Sequence, residues 1–354
     1  MVKLYLGIFF LTFLVVLLST PFFRYLAKKF KVLDYPRPRS RKVHSEPIPR
    51  WGGLSIYFGL LVSVVVLYFL SVDFRTLLEY KDSLYSAGRL IRYLELSKQL
   101  TGVFIAASLI LILGMIDDKR NIPPIVKLLT QIIAAYIAMD YGVRILGLSL
   151  PQTFGGKFYY LPTILSQIIT VVWLVGFMNT INLVDGLDGL ATGIVAIAAF
   201  TFFAISLIQA ETKIVFIAKQ LNLAAILSIG LCGATLGFLA HNFYPAKIFL
   251  GDTGSMLLGF LLGTIAVIGT LKTTAVIAFF IPILVIGLPV ADVFFAIIRR
   301  FCKGKPIFEA DKEHFHHRLL RLGWTQKEIV FLVYIVTLIL SQGAILLTIF
   351  RGQK

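Results

Sequence analysis

Long apolar runs alternate with short polar stretches along the whole chain. A helix of about 20 apolar residues crosses a hydrocarbon core of about 30 Å. By that criterion the pattern predicts about ten spans: 4–27, 51–70, 100–116, 123–140, 162–181, 189–209, 221–241, 253–271, 274–300 and 328–349. The runs are continuous rather than alternating, which disfavours a transmembrane barrel. The fold class is therefore an all-α polytopic membrane protein, read as one integral-membrane domain over residues 1–354. Between spans, 71–99 reads as an amphipathic segment on the outer surface. The stretch 141–161 reads as a small outer hairpin, because Gly155 and Gly156 separate short β-prone segments. Span 274–300 contains Pro282, Gly287 and Pro289. A bend there either opens a groove in the bundle wall or packs against neighbouring helices.

Composition strengthens this picture. The chain is 58% hydrophobic with mean hydropathy +0.88, beyond an ordinary soluble domain. Its net charge of +16 could suggest nucleic acid, but the basic residues lie between spans. Arg24, Lys28, Lys29, Lys31, Arg37, Arg39, Arg41, Lys42 and Arg50 follow the first span, and another basic group follows the ninth. Positive-inside topology then places the loops after odd-numbered spans in the cytoplasm and both termini outside. Anionic headgroups, not nucleic acid, are the expected partner of that charge. Cys232 and Cys302 offer neither a disulfide framework nor a metal pair. The first span has only Lys3 before it and no small-residue cleavage site, unlike a cleavable signal.

The unusual polar chemistry gathers at the predicted cytoplasmic ends. In NTINLVDGLDG, Asn179, Asn182, Asp185 and Asp188 recur every three residues, a spacing that lines one face of a helix. Carboxylates at the edge of a bilayer are costly unless they face a cavity, a partner or a metal; the plain alternative is a solvated, capped loop. Four more clusters close odd-numbered spans: HSEPIPRWGG from His44, DDKRNIPPIVK from Asp117, HNFYPAKIFLGDTGS from His241, and ADKEHFHHRLL with Asp311, His314, His316, His317 and Arg318. Each has an ordinary explanation. Adjacent aspartates can cap a helix, and Gly251–Ser255 can be a turn and an N-cap that also offers amides to a phosphate. The histidines could belong to a basic surface helix. Together they supply the hard oxygen donors and cations that a divalent metal and a polyphosphate require.

Asp117–Asp118, the run Asn182–Gly189, the run from Asn242 through Phe249 to Asp252, and His314–Arg318 resemble the polyprenyl-phosphate N-acetylhexosamine-1-phosphate transferases. The IPRWGG and HFHHRLL stretches resemble the WecA/TagO branch more than MraY. The resemblance spans nearly the whole chain, with motifs in family order. It implies transfer of a sugar 1-phosphate from UDP-N-acetylglucosamine to an undecaprenyl-type phosphate in the plasma membrane, releasing UMP and starting a cell-envelope polysaccharide. It also implies Mg²⁺, with Mn²⁺ as a substitute, and leaves room for a homodimer. By position, Asp252 matches the metal aspartate, with Asn182 and Asp185 beside it. Asp117 matches the carboxylate that positions or deprotonates the lipid phosphate, next to Asp118; Asp188 joins this catalytic set, and Lys127 matches a carrier-phosphate contact. Asn242 and Phe249 match the nucleoside pocket. His316, His317 and Arg318 match the donor loop, where Lys312 replaces a common Arg. His44, Asn121 and His314 complete the expected substrate contacts.

The rivals are a muramoyl-pentapeptide phosphotransferase of the MraY type and an intramembrane prenyltransferase of the UbiA type. The latter should carry two full aspartate-rich clusters. A transporter should carry mid-bilayer polar groups and related halves, and the sequence has neither.

Overall fold

The structure, a computed structural model, describes residues 1–35, 46–86, 89–149, 158–211, 214–269, 283–284, 286–287, 290–291 and 319–352. The long helices are α1 (Val2–Lys29), α2 (Gly52–Leu70), α4 (Leu96–Arg120), α5 (Pro124–Asp140), α6 (Thr163–Val184), α7 (Leu190–Ala210), α8 (Val215–Asn242), α9 (Gly251–Gly269) and α10 (Gln326–Gly352), with a short α3 (Val72–Leu78). Eight of the described helices are long and apolar enough to cross a membrane. They coincide with eight of the expected spans, and the protein is an all-α polytopic membrane protein. The expected span 123–140 is α5, whose 17 residues make it the shortest of the long helices. Most of the expected span 274–300, including Pro282 and Pro289, lies outside the described residues.

Helices α8 and α9 form the centre. The most apolar window of α9 is 89% buried, against 22% for α1 at the periphery. Small residues make this possible. A Cβ on Gly259 would stand 2.5 Å from the Phe177 carbonyl oxygen, so α6 and α9 cross with backbones in contact, as small-residue interfaces in membranes allow.

Two antiparallel ribbons lie at the end opposite the polar clusters. Strand β3 (Lys81–Ser86) pairs with β4 (Arg89–Glu95), and β5 (Gly147–Ser149) pairs with β6 (Phe158–Tyr160). The second ribbon is the hairpin expected at 141–161. The first replaces the amphipathic segment expected at 71–99: α3 and a hairpin fill that interval. The sequence on either side does not alternate; its strand signal is the turn residue Gly88 beside the strand formers Tyr85, Leu90, Ile91 and Tyr93.

At the polar end, β1 (Leu33–Asp34) pairs with β2 (Ile48–Pro49). Successive helices reverse direction, which brings the ends of α1, α4, α6 and α8 together with the starts of α2, α5, α7, α9 and α10. That end carries the chemistry.

Candidate active site

The site is built where α2, α4 and α9 cross. A Cβ on Gly53 would lie 2.5 Å from the Thr253 carbonyl, and one on Gly114 would lie 2.4 Å from Thr253 Cα. These glycines let three backbones meet at the start of α9. The Pro49–Gly53 segment is tied to 249–250 by backbone hydrogen bonds: Phe249 N–H donates to the Pro49 carbonyl (2.8 Å), and Gly52 N–H donates to the Phe249 carbonyl (3.0 Å). Trp51 adopts φ 75°, a left-handed conformation costly for a bulky residue. Its indole donates to the Met115 carbonyl at 3.3 Å. This bend aims Arg50 at the carboxylates.

Asp118 is fully buried and faces the first turn of α9. It accepts from Asp252 N–H (2.9 Å), Thr253 N–H (3.2 Å) and the Thr253 hydroxyl (2.6 Å). The carboxylate thus satisfies donors that a helix start leaves unpaired and matches the positive end of its dipole. Those amides were expected to be available to a phosphate; Asp118 holds them instead. Arg50 joins Asp34 (2.5 Å) and Asp118 (3.6 Å). Burial acts against its charge, but Asp34, Asp118 and Asp252 outweigh this and raise its pKa.

Lys127 at the start of α5 bridges Asp117 and Asp252, with Nζ 2.8 Å from Asp252 Oδ2. The other oxygen of Asp117 accepts from Ile122 N–H at 2.6 Å. The other oxygen of Asp252 accepts from Asn182 Nδ2 at 3.0 Å, and the same amide donates to Ser255 Oγ at 2.8 Å. Asp185 caps α6 and has no hydrogen bond to its carboxylate among the described residues. Burial, then the charges of Asp252 and Asp118, push its pKa up to about 8, with Arg50 acting the other way.

The structure therefore gathers Asp117, Asp118, Lys127, Asn182, Asp185 and Asp252. It separates others. The polar run after span 5 does not line one wall, because α6 ends at Val184. Asn179 turns to Gln131 Oε1 (2.8 Å), and Asp188 accepts from Ala246 N–H (2.9 Å), pinning the loop after α8. Asn242 is buried; it accepts from the Thr192 hydroxyl (2.7 Å) and donates to the Ile248 carbonyl (3.0 Å). It braces the same loop from beneath. Phe249 lies in that loop, partly buried. Asn121 is exposed, ends α4 at φ 49° and donates its N–H to the Asp117 carbonyl. His44, His314, His316, His317 and Arg318 lie outside the described residues. Arg50 is the site residue that sequence reasoning missed; its place directly before Trp51–Gly52–Gly53 was the available signal.

Five carboxylates here, Asp34, Asp117, Asp118, Asp185 and Asp252, share Arg50 and Lys127 as their cations among the described residues. An ammonium bridging Asp117 and Asp252 stands where a divalent cation could, so the oxygen donors suit Mg²⁺. Among the described residues no three His, Cys, Asp or Glu side chains could hold a metal ion by themselves.

The chain's relatives carry related names. A model described as "Glycosyl transferase family 4" matches residues 100–270. A Bacillus subtilis protein named "Probable undecaprenyl-phosphate N-acetylglucosaminyl 1-phosphate transferase" is 34% identical over 342 residues, covering 96% of this chain and 84% of that protein. A Mycobacterium leprae decaprenyl-phosphate N-acetylglucosaminephosphotransferase is 34% identical over 332 residues, covering 90% and 77%. A phospho-N-acetylmuramoyl-pentapeptide-transferase of Halalkalibacterium halodurans is 31% identical over 362 residues, covering 96% of each chain. The chain belongs to glycosyl transferase family 4, among its polyprenyl-phosphate N-acetylhexosamine-1-phosphate transferases.

Proposed function

We propose that this protein transfers N-acetylglucosamine 1-phosphate from UDP-N-acetylglucosamine to an undecaprenyl-type phosphate, giving the lipid-diphosphate sugar and UMP. The site opens to the cytoplasmic side of the plasma membrane, and the product begins a cell-envelope polysaccharide. One observation supports this reading most: Lys127, Asp117, Asp252 and Asn182 form one hydrogen-bonded group at the mouth of a membrane bundle. A lipid phosphate can reach that position from the bilayer and a nucleotide diphosphate from water. The 34% identity to proteins named for this transfer supports the sugar and carrier.

The chemistry is phosphoryl transfer, where positioning and charge stabilisation do most of the catalysis. A phosphate monoester has its second pKa near 6 and is largely a dianion at neutral pH. It needs no strong base to attack the sugar-bearing phosphorus. Asp117 orients the acceptor phosphate, and Lys127 offers it an ammonium. Asp252, with Asn182 and Asp185, would hold Mg²⁺, which when bound neutralises charge on the diphosphate and on departing UMP. Asp118 and Arg50 fix the backbone that carries Asp252. The donor loop expected around His316, His317 and Arg318 would contact the sugar diphosphate.

Detergent-purified protein should convert labelled UDP-N-acetylglucosamine and undecaprenyl phosphate to lipid-soluble label and equimolar UMP. The activity should vanish with EDTA and in Asp252→Asn that still elutes as folded protein. Turnover only with the muramoyl-pentapeptide donor would move the protein to that branch. Turnover with neither donor, or undiminished turnover in Asp252→Asn, would refute the proposal.

A further inference from the structure

The Lys127 contacts raise a conflict within the site. A divalent ion on Asp252 needs carboxylate oxygens, yet Asp252 Oδ2 holds Lys127 at 2.8 Å and Oδ1 holds Asn182 at 3.0 Å. Asp117 is likewise committed, one oxygen to Ile122 N–H and the other to Lys127. Both oxygens of Asp118 face the α9 amides. In this arrangement the ammonium and the metal compete for the same oxygens. The same ammonium, with its side chain 28% exposed, is the cation assigned above to the acceptor phosphate.

Resting on the reading that this site binds a divalent ion, we infer that Lys127 is an exchangeable internal cation. It occupies the metal's oxygens in the free enzyme and turns to the lipid phosphate when the metal arrives. Two geometric features permit the exchange. Lys127 lies in the first turn of α5, just after Pro123–Pro124, and its side chain is 28% exposed, so its four-carbon stem can swing without disturbing the bundle. The carboxylates stay in place because Asp117 is tied to Ile122 and Asp252 to Asn182. Metal and acceptor phosphate then favour the same state: the metal drives Lys127 off the carboxylates, and the phosphate draws it away. The two ligands bind with positive coupling, which is reciprocal.

The test is Mn²⁺ binding, read by the loss of free-ion EPR signal in detergent-solubilised protein without nucleotide. A state closed by Lys127 weakens apparent affinity by the fraction of open protein, so Lys127→Gln should tighten Mn²⁺ about tenfold if the closed state holds about 90% of the protein. Adding farnesyl phosphate should tighten Mn²⁺ in the wild type and have little effect in Lys127→Gln. Two controls separate exchange from simple charge removal. Arg50→Gln also removes a nearby positive charge but should retain the farnesyl phosphate effect. A phosphate that merely adds a metal ligand would tighten Mn²⁺ equally in wild type and Lys127→Gln, and that result would overturn the inference. Unchanged or weaker Mn²⁺ binding in Lys127→Gln, with the wild type binding normally, would overturn it while leaving the metal reading intact. No Mn²⁺ binding by either protein would remove both. Should the variant fail to fold, the wild type alone decides, because absence of coupling to farnesyl phosphate refutes the exchange.

Discussion

Asp118→Asn tests whether the second carboxylate of the pair works on substrate or on the fold. In the structure Asp118 accepts two backbone N–H groups and one hydroxyl from the start of α9, at 2.9, 3.2 and 2.6 Å, with Arg50 at 3.6 Å. An asparagine keeps one oxygen and presents an NH₂ to the remaining donors, so at least one buried N–H loses its partner. A hydrogen bond to a charged group contributes about 1.5–3 kcal/mol. Removing one member of a buried charged set costs about 3–5 kcal/mol in all, less than the separate bonds would sum to. At about 2 °C per kcal/mol for a chain of this size, apparent unfolding in detergent should fall by roughly 6–10 °C. Tryptophan fluorescence during heating measures this, since Trp51 contacts α4 directly. Mn²⁺ affinity should fall with it, because the backbone carrying Asp252 loosens. Thr253→Val, which removes only the hydroxyl donor, should cost about 1 kcal/mol. If Asp118→Asn melts at the wild-type temperature while turnover is abolished, Asp118 acts on substrate and the bracing argument fails.

Two further predictions concern packing and protonation. Gly114→Ala places a methyl 2.4 Å from Thr253 Cα and should cost stability by overpacking, about 1–3 kcal/mol; Gly176→Ala, whose Cβ meets nothing within 4 Å, should change it by less than about 0.5 kcal/mol. Equal melting temperatures for the two would contradict the crossing described. With Asp185 raised to about 8, its carboxyl is protonated at pH 6 and must lose that proton as a cation binds beside it. Mn²⁺ affinity should therefore climb between pH 6 and 8, by up to about tenfold per unit, and level off above; Asp185→Asn should flatten the climb, and an equally steep profile in the variant would exclude Asp185.

The bundle was legible because run length alone sets a membrane helix; eight expected spans are helices of that kind. The hairpin at 141–161 was legible from its turn residues, whereas β3–β4 was not, because its strands do not alternate: Arg89, Arg92 and Glu95 fall every third position, the period of an amphipathic helix rather than of a strand. Within the site, residue types were readable but partners were not. The three-residue repeat from Asn179 to Asp188 implied a common face, yet a helix that stops at Val184 sends Asn182 to Asp252 and Asp188 to Ala246. No local pattern encodes a contact 70 positions away. Asn242 illustrates the converse: an asparagine near the site whose amide is consumed by Thr192 and Ile248, visible only once α7 and α8 are packed.

The order in which polar groups are satisfied then explains why chemistry concentrates where it does. The start of α9 has orphan amides, and Asp118 answers them. Asp118 brings a buried charge, and Arg50 answers it, held in turn by Asp34 and by the bend at Trp51. Asp117 and Asp252 bring two more charges, and Lys127 answers both. Asp185 is left without a hydrogen-bonded partner among the described residues, close enough to feel Asp252 and Asp118. A network that closed fully would be inert. This one stops one cation short, at the mouth of the bundle, and its last bridging cation is a flexible lysine rather than a second arginine. That combination is stable without ligand, and on the inference above it leaves Lys127 free to give way to a metal ion and turn to an acceptor phosphate.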